Sequence, residues 1–197
     1  MSDLTNLKKL RQKTNAPLKD CRQALQESEG DIGEAVTILK KRSRLVAASK
    51  AEKTAKEGVV EAYIHANHKV GVLLELNAQT DFVAKTKEFL ELAHDLAMHI
   101  AAMDPQYISS EEVPEKMIAK EKEIYLEQLK DSGKPKEIQE QIVKGKIEKF
   151  FSEVCLYSQP FIKDEARTIK DLINEQIAKT GENIKVNRFM RFAITNQ

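Results

Sequence analysis

The sequence predicts an α+β protein: an N-terminal three-helix module, then a three-stranded antiparallel sheet packed with helices and a helical hairpin. Three observations lead there. Apolar residues recur at helical spacing in three short runs before residue 42. Two strand-like runs, Gly58 to Ala66 and Val70 to Ala78, follow a basic segment. The chain then turns helical again and closes on "IKVNRFMRFAI", a third strand.

The first helix is expected from Leu4 to Lys13, with Leu4, Leu7 and Leu10 on one face. "TNAP" breaks it, and Pro17 suits the first turn of the next, where a missing N–H is no loss. That second helix carries Leu18, Cys21, Ala24 and Leu25, and "EGD" ends it with a glycine stop and offers Asp31 as the next N-cap. A third, Ile32 to Lys41, places Ile32, Ala35, Val36 and Leu39 at helical spacing and ends in basic residues, as the macrodipole prefers. The domain reading is therefore a module of residues 1–42, a basic linker of 43–57 with little apolar periodicity, and a core domain of 58–197.

In the core, Val60, Ala62, Ile64 and Ala66 alternate with polar positions, "NHK" makes a tight turn, and "VGVLLELNA" reads as the better-buried strand of the hairpin. A long helix from Asp81 to Met103 follows, striped by Phe89, Ala93, Leu96 and Ile100. "DPQYISSEEVP" interrupts it. Helices from about Pro114 to Lys130 and from Lys136 to Tyr157, parted by "DSGKP", form the hairpin, with Ile138, Ile142, Phe150, Val154 and Cys155 as its expected inner face. "SQPF" ends it, and a last helix, Glu165 to Lys179, carries Ile169, Leu172, Ile173 and Ile177.

Composition narrows the function classes. The 197 residues are 41% hydrophobic and 32% charged, with only 7 Gly and 5 Pro, as in a folded helix-rich chain. No apolar run approaches the ~18 residues of a membrane span, and MSDLTNLKKL lacks a signal peptide's apolar core, so a cytoplasmic protein with no membrane contact is expected. Cys21 and Cys155 have no CxxC partner and read as buried free thiols. A net charge of +1 argues against direct nucleic-acid binding. The exception, Lys40 to Lys56, is basic and reads first as a solvated linker, with a nucleic-acid patch as the minority reading.

Catalytic chemistry finds no anchor. His94 and His99 are five apart rather than the four that align two imidazoles on a helix, and His65 and His68 fall at a turn, so surface histidines are expected and no metal site. GxGxxG, GxxxxGK[ST] and GxSxG are absent, and neither a catalytic residue nor a cofactor is expected. One stretch stands apart: Thr80-Asp81-Phe82-Val83, where strand meets helix. Thr or Asp suits an N-cap, and Phe82, seven before Phe89, falls on the helical stripe, so periodicity favours inward packing. The alternative is a side chain presented to a partner.

Resemblance bears on that choice. "LKKLRQKTNAPLKDCRQAL" with "EGDIGEAVTILKKR" resembles the ubiquitin-associated-like N-terminal module of the elongation factor Ts family, typically "RxxTGAGxMDCKKAL" there. "VLLELNAQTDFVAK" is similar to the family's central strand-to-helix "TDFVA", while "SQPFIKD" and "NRFMRF" resemble its C-terminal core, so the likeness spans the chain in order. It implies a guanine-nucleotide exchange factor, not an enzyme of covalent chemistry, that binds elongation factor Tu in its GDP-bound and nucleotide-free states. It further implies that Asp81 and Phe82, with Thr80 and Val83, reach the magnesium and phosphate site of Tu, and that Arg11, Leu18, Lys19 and Arg22 contact its GTPase domain. Asn15 and Pro17 depart from the two glycines of TGAG, and Lys19 stands where an apolar residue is common. The length resembles the short family form with one core repeat, and the single sheet implies a non-covalent homodimer. A ubiquitin-associated-type protein-binding adaptor or an RNA-binding factor are the alternatives.

Overall fold

The computed structural model describes residues 2–130, 133 and 135–194, with side chains from Leu4 onward. Of the expected hairpin connection "DSGKP", Asp131, Ser132 and Lys134 lie outside the described residues. The fold is α+β. Helices α1 (Ser2–Thr14), α2 (Leu18–Glu27) and α3 (Ile32–Lys50) lead into strands β1 (Glu57–Ile64) and β2 (Val70–Ala78). Then come α4 (Asp81–Ala84), α5 (Lys87–Met103), α6 (Glu115–Glu127), α7 (Lys136–Val154), β3 (Pro160–Phe161), β4 (Asp164–Thr168), α8 (Ile169–Thr180) and β5 (Lys185–Ala193). The antiparallel sheet runs β1-β2-β5, and β3 pairs with β4 apart from it. No helix among the described residues is long and apolar enough to cross a membrane.

The chain forms two compact units. The first takes in the residues up to Glu61 together with Glu75–Ala93 and Asp171–Asn187; the second takes Ala62–Leu74, His94–Lys170 and the residues from Arg188 onward.

In the first unit, Leu7, Leu10, Cys21, Ala24, Leu25, Ala35 and Leu39 close a core among the three N-terminal helices. The punctuation is as expected: Asn15 (φ 52°) and Gly30 (φ 89°) take left-handed backbone at the two helix ends, and Asp31 accepts the Glu34 N–H at 2.7 Å as the α3 cap. However, α3 does not stop at Lys41. It continues to Lys50, through most of the segment read as linker 43–57. Its inner face there carries the stripe on from Leu39 through Ser43 and Ala47 at four-residue spacing, two small residues that give little apolar signal. Asp171 of α8, itself buried, accepts two bonds from Arg44 (2.9 and 3.3 Å) and lies 3.8 Å from Lys40. Gly58 is required by close approach, since a Cβ there would stand 2.2 Å from the Leu76 carbonyl oxygen.

In the second unit, the β1–β2 turn is closed by the His65 N–H to the Val70 carbonyl at 2.9 Å, with His68 at φ 55°. The buried seam of the α6/α7 hairpin is Leu129, Val143 and Ile147, lined by Ile118, Tyr125, Ile142 and Phe151. Of the expected face, Ile142 lines this seam and Cys155 is fully buried, whereas Ile138 is 42% exposed. α7 ends at Val154 rather than Tyr157, because Tyr107 pairs with Cys155 and its carbonyl accepts the Leu156 N–H at 2.9 Å. Residues 165–168, expected to be helical, belong to β4, drawn into an antiparallel ladder with Pro160 and Phe161. One histidine is not at the surface. His99 is fully buried; its Nδ1 accepts the Ile162 N–H (3.4 Å), which leaves Nε2–H to donate to Gln159 Oε1 (3.0 Å). Burial holds its pKa below the ordinary value.

Candidate functional site

β2, buried along its second half, delivers the chain to Thr80 in extended backbone (φ −126°, ψ 155°). Thr80 caps α4: its Oγ1 accepts the Val83 N–H at 3.4 Å, and its carbonyl accepts the Ala84 N–H at 3.2 Å. The same threonine is held from the far end of the sequence. Its Oγ1–H donates to Glu182 Oε1 at 2.7 Å, and its backbone N–H donates to Glu182 Oε2 at 3.1 Å.

The helix expected from Asp81 to Met103 is two helices. α4 is a single turn, and Thr86 ends it by donating its N–H (3.0 Å) and its hydroxyl (2.8 Å) to the Val83 carbonyl. Thr86 then caps α5, its Oγ1 accepting the Phe89 N–H at 3.3 Å. The break takes Phe82 off the stripe of Phe89, Ala93, Leu96 and Ile100, which is fully buried as expected. Phe82 is 82% exposed, so the inward-packing reading of this residue is excluded. Ala84 alone of the turn points inward, at 3% exposure.

Beside Phe82, Asp81 keeps about half its side chain in solvent and pairs with Lys85 one helical turn on (Oδ2 to Nζ 2.6 Å). The Lys85 hydrogen bond and charge hold the Asp81 carboxyl below the usual carboxylate range and raise the lysine. Asp81 is thus a carboxylate at neutral pH. Together the turn offers an anion, an uncovered aromatic ring and a cation within five residues.

The second set of expected residues lies on the N-terminal helices. Arg11 sits in the last turn of α1; Leu18, Lys19 and Arg22 open α2, with Leu18 and Arg22 one turn apart on the same face. All four are exposed, Leu18 by 46%. They belong to the same unit as Thr80–Val83. The basic stretch Lys40 to Lys56 is partly consumed by internal pairs, Lys40 and Arg44 with Asp171 and Arg42 with Glu27. Among the described residues no group of three or more His, Cys, Asp or Glu side chains could hold a metal ion. Reading the sequence missed Glu182, which lies 102 positions from Thr80 and carries no local signal. Lys85 was legible as an i,i+4 partner of Asp81.

A family model described as Elongation factor TS matches residues 1–196, and the chain belongs to that family. It is a factor of translation elongation, of the class that exchanges guanine nucleotide on a partner. Its relatives include the elongation factor Ts of Thermotoga neapolitana, 55% identical over 188 residues that cover 95% of this chain and 94% of the relative. That of Thermosipho melanesiensis is 52% identical over 188 residues, covering 95% and 96%. That of Moorella thermoacetica is 50% identical over 189 residues, covering 96% and 93%.

Proposed function

We propose that this chain binds elongation factor Tu in its GDP-bound and nucleotide-free states and speeds GDP release by pressing Asp81 and Phe82 against the magnesium and phosphate site. The observation that carries this is the outward Phe82 on a turn pinned at Thr80 and Thr86. Burying such a ring on docking contributes about 1.5–3 kcal/mol. Mg²⁺ requires near-ideal octahedral geometry, so a small displacement of its supports is enough to loosen the phosphates. Asp81, kept ionised by Lys85, competes for a donor or helix end that supports the ion. Linkage does the rest: whatever factor the chain takes from GDP affinity, GDP takes from the affinity for the chain. No covalent step is involved, and the setting is the cytoplasm.

The N-terminal module of residues 1–42 adds a second contact through Arg11, Leu18, Lys19 and Arg22, with 43–57 as its connection to the core of 58–197. A second copy of the chain covers the sheet. Val60, Ile64, Leu73, Met190, Phe192 and Ile194 are exposed apolar residues of its strands and their ends, and β1 and β5 are its free edges.

Stopped-flow release of a fluorescent GDP from elongation factor Tu tests the exchange reading. The intact chain is expected to accelerate release, and the Asp81→Ala, Phe82→Ala double variant to lose that acceleration while remaining folded. Full acceleration by the double variant would overturn the assignment of these residues.

A further inference from the structure

We infer that Glu182 is a positioning residue for the exchange turn, a role that rests on the reading of Asp81 and Phe82 above. The hydroxyl of Thr80 has one hydrogen and two lone pairs. Glu182 Oε1 takes that hydrogen at 2.7 Å, so the lone pairs are left to face the Val83 N–H. The carboxylate thereby sets the direction of the cap as well as its strength, and the chain from carboxylate through hydroxyl to amide polarises in one sense. Its other oxygen accepts the Thr80 N–H at 3.1 Å. Two bonds from one residue to two oxygens of one carboxylate fix both the backbone and the side chain of Thr80.

Glu182 is itself held on both sides. Gly181, at φ 73°, ends α8 with its N–H on the Ile177 carbonyl at 2.8 Å, and the Glu182 N–H donates to Thr180 Oγ1 at 3.3 Å. The next residue, buried Asn183, donates through Nδ2 to the carbonyls of Ala51 (3.2 Å) and Lys53 (2.7 Å). The carboxylate therefore stands on a fixed loop. A four-residue helix has no stability of its own. With Thr80 anchored and Thr86 closing the far end, Asp81 and Phe82 sit between two fixed points, and the ring is held ready without any cover. Glu182 acts through Thr80 and need not touch the partner.

Two measurements on the full chain test this. In the free protein, Glu182→Ala is expected to speed amide hydrogen exchange at Thr80 and Val83 by about tenfold, the loss of charge-assisted bonds at a half-buried site. Exchange in the α1–α3 core should stay unchanged. In stopped-flow assays with elongation factor Tu, the same variant is expected to slow catalysed GDP release by about tenfold. Glu182→Gln, which keeps size and one acceptor oxygen, should fall between it and the unaltered chain in both, and serves if Glu182→Ala folds poorly. In the Asp81→Ala, Phe82→Ala background, removing Glu182 should cause no further loss, because nothing remains to be positioned. Unchanged amide exchange in Glu182→Ala would overturn the proposal. So would a loss of GDP release that is undiminished in the Asp81→Ala, Phe82→Ala background. If the unaltered chain fails to accelerate GDP release at all, the exchange reading falls, and the amide measurement alone still decides whether Glu182 holds the turn.

Discussion

A phenylalanine left 82% in water forgoes the stabilisation that burial would give it, and Phe82 does so beside well-filled core positions at Ala84 and Phe89. Truncation of so exposed a side chain is expected to change unfolding free energy by less than about 0.5 kcal/mol, measured in urea, while GDP exchange is lost. A core anchor would show the reverse. His99 is the opposite case, a polar side chain with no exposure and both ring nitrogens engaged in the neutral form. The unfolded chain, with an imidazole pKa of about 6.5, binds a proton more readily than the fold does, so stability falls as pH drops below that value until the lowered folded-state pKa is passed. Thermal melts from pH 7.5 to 5 should show this loss, and His99→Gln should flatten it at a lower overall stability. Neither residue was placed by sequence periodicity. Phe82 fell on the α5 stripe by count, and His99, flanked by apolar residues, was read as a surface group because its partners Gln159 and Ile162 are some 60 positions away.

At the scale of elements, the split of α4 from α5 and the extension of α3 share a cause: short-range polar bonds and small side chains outweighed hydropathy. Thr86 split one expected helix into α4 and α5 through its hydroxyl, although Thr in a helical run is an ordinary sight in sequence. Thr86→Ala should lower stability by about 1 kcal/mol in urea unfolding, as for other lost caps, and should reduce GDP exchange by freeing the end of the turn. α3 ran on past Lys41 because Ser43 and Ala47 are small enough to pack while Lys and Arg flank them. The hairpin of β3 and β4 could not be read from five mostly polar residues, since its pairing is set by contacts outside the segment. What was legible carries strong local marks: the Asp31 cap, the glycine stop at Gly30, and the fully buried stripe of α5.

For the whole molecule, the order of helices, strands, hairpin and final strand was legible because each change of hydrophobic period marks a change of element. The resemblance at four separate motifs then pointed to the family that the matched relatives bear out. What the period cannot reveal is which face of the sheet stays open, because Leu73 and Leu74 look alike in sequence yet are 49% and 0% exposed. If a second copy covers that face, sedimentation at micromolar concentration should give twice the monomer mass. Phe192→Lys with Leu73→Lys should return it to the monomer without unfolding it. A monomeric mass for the unaltered chain would remove the dimer from the proposal.

The two cysteines have a practical consequence. Cys21 and Cys155 are buried, free and far from the turn in sequence, and burial raises both thiols, Cys155 to about 11. Because the thiolate is the reacting form, neither should take up a maleimide while the chain is folded. Lys87, solvent-facing at the start of α5 and engaged in a weak surface pair with Glu91, lies just past the turn. A lone dye attached after Lys87→Cys would therefore follow the approach of a partner to Phe82, with both native cysteines left in place.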